Sequence, residues 1–243
     1  MHEKELLELK RAIDAVLKGG GSTLEDVSRT FATAFFHHLR ESIVLVRTFV
    51  TMEYKDLPER TRVFADRLAE SANLILGPRS VVLTLLGSAG VLEAWNDPSL
   101  SRWHSAIPMA SSKLVEGTPM VSALLEQLGF DLGWIKGEGG IVAEALGKLA
   151  GTFYVEDAST CRNSKGELII PAQDFVAEHH IGTVFGFGGG YPGTNYFTVT
   201  ILFLNEHVPK ETALFFQGFL LEYKTATKQF IAQASRAKPF VAA

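Results

Sequence analysis

Apolar residues recur at three- and four-residue steps near both ends of the chain and gather into short β-branched runs between them. At the N-terminus Leu6, Leu9, Ile13 and Val16 keep that spacing, which predicts a helix from Glu3 to Lys18 ended by the glycines at 19 to 21. Ser22 or Thr23 can cap a second helix, with Leu24, Val27, Phe31 and Phe35 near one face. The run "IVLVRTFVTMEY" then predicts a strand from Ser42 to Tyr54, and Pro58 opens the helix "PERTRVFADRLAESAN". A continuous apolar run at 80 to 87, "SVVLTLLG", predicts a central strand covered on both faces. From 88 to 151 the pattern loosens: "SAGVLEAWNDPSLSRWHSAIPM" reads as an ordered loop, followed by two amphipathic helices, "TPMVSALLEQLG" and "GGIVAEALGKLAG". Beyond it come a strand at 152 to 158, the helix "PAQDFVAEHH", the strands "TVFGF" and "NYFTVTILFL", and a last helix from near Pro209 towards Ala234.

The stretch Thr183 to Phe197, "TVFGFGGGYPGTNYF", is the one that looks most like a phosphate-cradling loop. Such a loop needs its glycines between a strand and a helix, because the helix N-terminus attracts the phosphates. Here a strand follows, and neither G-x-G-x-x-G nor G-x-x-x-x-G-K occurs. A hairpin turn is expected instead, with glycines supplying positive φ values and a bulge.

The segments "SVVLTLLGSAG", "FYVEDAST" and, above all, "GTVFGFGGGYPGTNYFTVTILFLNEHVPKETALFFQGFLLEYKTA" resemble a GAF domain, the PAS-like sensory module of bacterial signalling proteins. The segments "IPAQDFVAEHHIGTVFGFGG" and "AIPMASSKLVEGTPMVSALLEQLG" are similar to input regions ahead of bacterial sensor histidine kinases. The likeness spans residues 40 to 235 and leaves 1 to 39 as an N-terminal helical extension. It implies an α+β fold, an antiparallel sheet with helices on one face, a long C-terminal helix, and a ligand or interaction surface on the other face. It carries no catalytic residues over. A sensor kinase would continue into phospho-acceptor and ATP-binding segments, so a separate protein and a fused kinase output both stay open.

Charge narrows the partners. Lys and Arg number 23 against 27 Asp and Glu, with no basic cluster, which argues against nucleic acid. The alternating charges of the N-terminus are not those of a signal peptide, and no run reaches the roughly 20 apolar residues of a membrane span, so a cytoplasmic protein is expected.

The histidine pairs at 37, 38 and 179, 180 diverge as chain neighbours, and no metal-binding spacing occurs, although a haem held by a single histidine needs none. Cys161 stands alone beside Arg162, open to a redox-sensing role or an inert one. No serine elbow is present, and Glu156 and Asp157 point to opposite sides of a strand. A non-catalytic protein is the reading.

For a ligand pocket the mixed segment around Trp95, Asn96, Trp103 and His104 is the candidate, with Phe187 and Tyr191 shaping the hairpin beside it; plain packing explains the tryptophans equally. For an interface, the seam of Leu6, Leu9, Ile13 and Val16 and that of Phe216, Tyr223 and Phe230 suit a homodimer through terminal helices, or else the domain's own core. The function expected is a sensory domain binding an unidentified small molecule; a ligand-free dimerisation or scaffold module for a partner protein is the alternative.

Overall fold

The structure, a computed structural model, describes residues 3–101, 104–130, 150–194 and 196–233. Helix α1 (Glu3–Gly19) and helix α2 (Leu24–His38) come first, the latter capped by Thr23, whose Oγ1 accepts the Asp26 N–H at 3.0 Å. Strand β1 (Ile43–Glu53), helix α3 (Glu59–Ser71) and strand β2 (Val81–Gly90) follow as the pattern predicts. The segment expected to be all loop contains a short edge strand, β3 (Ala106–Pro108), which pairs with Val82 to Thr84. Helices α4 (Ser112–Glu116) and α5 (Pro119–Gln127) come next; the helix expected from "GGIVAEALGKLAG" lies outside the described residues. Strand β4 (Ala150–Val155), helix α6 (Gln173–Glu178), strands β5 (Val184–Gly190) and β6 (Phe197–Leu204), and helices α7 (Lys210–Phe215) and α8 (Gly218–Gln233) complete the elements of the described residues.

The six strands form one antiparallel sheet in the order β3-β2-β1-β6-β5-β4, so the α+β class with helices about an antiparallel sheet is the architecture found. β1 and β6, the first and last of the described strands, lie side by side at its centre. Every residue of β2, β5 and β6 is buried, which follows from layers on both faces. Alternation divides the side chains of β1. Val46 joins a core with α1, α2 and α8, whereas Leu45 and Phe49 join another under α4, α5 and the 156–183 segment.

The helical layer is held by aromatic rings. Phe31 and Phe35 of α2 meet Phe187 of β5, Phe216, and Phe219 and Tyr223 of α8 at centroid distances of 4.7 to 6.4 Å. Within the stretch expected as an extension, α2 lies on the sheet and α1 packs on α2 and α8, so that Leu9, Ile13, Phe31 and Phe35 share one core with β5, β6 and α8. A β-bulge in β2 marks the seat of α2: Thr48 faces Gly87 and the next residue, Phe49, faces Leu85. Gly87 lies against the Ser28 backbone so closely that a Cβ there would stand 2.1 Å from the Ser28 carbonyl oxygen.

Candidate functional site

On the face opposite α2 and α8, the sheet and α5 enclose a cavity of about 60 Å³. Its floor comes from the central strands: Arg47 and Phe49 of β1 lie across from Ile201 and Val199 of β6 in register, with Phe203 beyond. Leu83 and Ile107 extend the floor on β2 and β3. The first two turns of α5 supply the roof through Met120, Val121 and Leu124, and Thr118 at its N-cap and His104 complete the wall. Thr118 directs its own hydroxyl at the Leu114 carbonyl, 3.3 Å away.

Two groups give this apolar chamber its polarity. Arg47 sits largely buried at the middle of the sheet, and burial pulls its guanidinium pKa down to about 10, so the side chain stays a cation at neutral pH. His104 keeps an open side to water, yet the protein around it and, second, the Arg47 charge hold its pKa below the usual histidine value. Its backbone is left-handed, φ 59°, a region that histidine enters more often than most residues and that recurs at binding sites.

Of the six residues singled out as ligand-binding from sequence, His104 lines this cavity. Trp95 stands one shell away. Its ring packs edge-on to Phe175 at 5.7 Å and to His179 at 4.9 Å, and Phe175 in turn meets Phe203 of the cavity wall at 5.5 Å. Asn96 is structural: its Oδ1 accepts the Gly90 N–H at 2.9 Å and fixes the exit of β2. Trp103 lies outside the described residues.

Phe187 and Tyr191 do not line this cavity: alternation along β5 turns Phe187 to the helical face, away from it. Tyr191 lies buried under α8, where its hydroxyl donates to Thr227 Oγ1 at 2.7 Å while Thr227 donates onward to the Tyr223 carbonyl. Lys224 covers the Tyr191 ring and donates to the Gly190 carbonyl.

The two seams offered to a partner close on each other within the chain. Leu9, Ile13, Phe216 and Tyr223 are buried in the helical core, and Leu6, Val16 and Phe230 pack against it. Tyr223 also carries a polar link. Its hydroxyl donates to Ser28 Oγ at 2.6 Å, since the Ser28 proton is committed to the Leu24 carbonyl at 2.6 Å, and burial holds the phenol protonated far above its usual range. Tyr223→Phe should therefore lower stability by about 1–1.5 kcal/mol in denaturant unfolding, with no change of fold by circular dichroism.

The glycines of β5 have a different reason from the one expected. Among the described residues of the hairpin Gly193 alone has a positive φ, 74°, and β5 pairs with β6 without a bulge. Gly186 and Gly188 instead permit close approach: a Cβ at either would stand 2.7 Å from a β6 carbonyl oxygen, and Ile201 and Val199 of the cavity floor also press on these positions.

Among the described residues no group of three or more His, Cys, Asp or Glu could share a metal ion, and no helix is long and apolar enough to cross a membrane. Compared with known proteins, the chain matches no family model and no curated sequence.

Proposed function

We propose that the chain is a GAF-like sensory domain of cytoplasmic bacterial signalling, non-catalytic, which binds a small molecule between its sheet and α5. The observation that carries this reading is the cavity itself: an apolar chamber at the middle of the sheet with a partly buried arginine and a histidine in its wall. At about 60 Å³ it has room for roughly two waters at about 30 Å³ each, well below the 300–1,000 Å³ of drug-sized pockets, which suits a ligand of very few heavy atoms. In this reading occupancy biases the packing of the helical layer on the other side of the sheet, and the terminal helices carry the bias to a second copy.

Native mass spectrometry of the freshly purified protein tests this directly. A dimer carrying a reproducible extra mass that is lost on denaturation is the expected result. A bare sequence mass that small molecules do not alter would sink it. A second reading, a scaffold that binds a partner protein, is favoured by one specific feature: Leu7 on α1 and Leu214, Phe215 and Leu221 on α7 and α8 are exposed, Leu221 by 73%. The same outer surface is the one left for dimerisation once the two seams are buried. Dimerisation that persists without any ligand mass and falls apart in Leu221→Glu would favour the scaffold.

A further inference from the structure

Helices α1 and α8 lie against each other in the outer layer, and between them runs an open groove of about 380 Å³. Leu7, Lys10, Arg11 and Asp14 of α1 form one wall and Glu222 of α8 the other. Helix geometry accounts for the set: once Leu9, Ile13 and Leu17 turn inward, these positions of α1 fall on its outer half.

The groove holds both signs of charge, and two of its charges are left without a close partner. Asp14 is committed to Lys18 one turn on, at 2.6 Å. Glu222 has its Oε2 shut off from water with no hydrogen-bond partner. Burial holds its carboxyl above the ordinary carboxylate pKa, and Asp14 pushes the same way, against the pull of Lys10 and Lys18. Among the described residues neither lysine comes within ion-pair distance of it. Arg11, exposed on the facing wall, likewise makes no ion pair among the described residues.

A surface that carries an unpaired cation on one wall and an unpaired anion on the other is complementary to itself after a half-turn. A two-fold axis through the groove brings the arginine of each copy to the glutamate of the other, and both pairs form in one step. Guanidinium and carboxylate suit such a contact, because paired N–H donors meet paired oxygens. Apolar surface flanks the charges: Leu7 is exposed in the groove, Leu221 is exposed one residue before Glu222, and exposed Phe215 leans on Phe219 of α8 at 6.0 Å. Helices of 17 and 16 residues offer a face about 25 Å long and about 20 Å wide, so two copies bury about 1,000 Å², the size that a specific interface has to reach.

We infer that the chain forms a two-fold homodimer through the α1–α8 groove, with Arg11 of each copy paired to Glu222 of the other and Leu7 and Leu221 packed beside them. The inference rests on the dimeric part of the reading above and gives it a surface; it does not depend on what fills the cavity.

Sedimentation equilibrium of the intact chain tests it. Wild type should be a dimer. Arg11→Glu and Glu222→Lys each set like charges together at both contacts, so each should weaken self-association at least about tenfold. An equimolar mixture of the two variants should recover a dimer of wild-type strength, because the mixed pair again sets opposite charges together at both contacts. An ion pair within one chain gives no such recovery.

A monomeric wild type would overturn the inference and leave the exposed face to a partner protein. A dimer indifferent to both reversals, or one that the mixture fails to recover, would overturn it by placing the interface elsewhere. A monomer that carries a ligand mass in native spectra would sink it and spare the cavity. Recovery in the mixture, with a bare mass that small molecules do not alter, would uphold the dimer and sink the sensory reading. Should either reversal fail to fold, Leu7→Asp decides, since a dimer that keeps its strength there does not use the groove.

Discussion

Phe35→Ala should lower the free energy of unfolding by about 3–5 kcal/mol and the melting temperature by roughly 10–15 °C, the largest stability effect expected of any single truncation in this chain. Phe35 is fully buried, and its ring stands 4.9 Å from Phe31, 5.2 Å from Phe219 and 5.9 Å from both Phe187 and Phe216. These rings belong to α2, β5, α8 and the turn before α8, so one side chain ties two helices of the outer layer to the sheet. Truncation removes the transfer free energy of a phenyl ring and leaves a void that four large neighbours cannot all relax to fill. Phe215→Ala is the control, because Phe215 is 42% exposed and touches only Phe216 and Phe219 among the aromatic rings described. It should cost less than about 1 kcal/mol. Urea unfolding at unchanged m measures both, and a Phe35→Ala loss as small as that of Phe215→Ala would mean that the ring cluster does not hold the layer.

That cluster also shows what the sequence pattern can and cannot reveal. Spacing of three and four at Leu9 and Ile13, and again at Phe216 and Tyr223, predicts an apolar helix face correctly. It does not say what covers the face. Here each seam supplies part of the cover for the other, through contacts between residues about two hundred positions apart, and nothing local in either helix encodes that. Strands were legible for a simpler reason. β1, β2, β5 and β6 are β-branched or aromatic runs bounded by turn residues, whereas β3 is only three residues long and carries Pro108 at its end, too little for a period of two to register.

The candidate site was half legible. His104 of the candidate segment lines the cavity, and α5, which follows that segment in the chain, roofs it. The lining residues were mostly not legible, because tryptophans in a loop combine large apolar surface with polar neighbours without meaning a pocket. Trp95 packs on Phe175 and His179, and Asn96 holds Gly90. A usable signal was present in "IVLVRTFVTMEY", where Arg47 interrupts a strand whose other positions read as buried. A charge at such a place must lie at an edge, in a pairing or in a cavity. The remaining lining residues are ordinary valines, leucines and isoleucines from separate segments, which only the register of β1 with β6 and the seating of α5 bring together.

The second large effect is expected at Gly87, where the two faces of the sheet are nearest in sequence. Ser88 pairs with Arg47 on β1, and Gly87 pairs with Thr48 and supports the backbone of α2 at Ser28. Gly87→Ala places a methyl group 2.1 Å from the Ser28 carbonyl oxygen and 2.5 Å from its carbon. Both are backbone atoms, so no rotamer change relieves the contact and α2 has to move off the strand. Overpacking of this kind costs about 1–3 kcal/mol, and a backbone obstacle puts it at the upper end, with only about 0.4–1 kcal/mol returned by the lower entropy of the unfolded alanine chain. A fall in melting temperature of roughly 4–10 °C is the expected reading.

Displacement of Ser28 also strains its hydroxyl link to Tyr223 on α8, so the α2–α8 contact should loosen first. Hydrogen exchange should show this as faster exchange confined to α2 and α8, with β1 and β6 still protected. If the chain works as proposed, ligand binding should survive in Gly87→Ala, because the cavity residues are untouched, whereas any response of the terminal helices to the ligand should be lost. Uniformly faster exchange across sheet and helices would instead mean that α2 and the sheet unfold as one unit. No coupling could then be assigned to this contact.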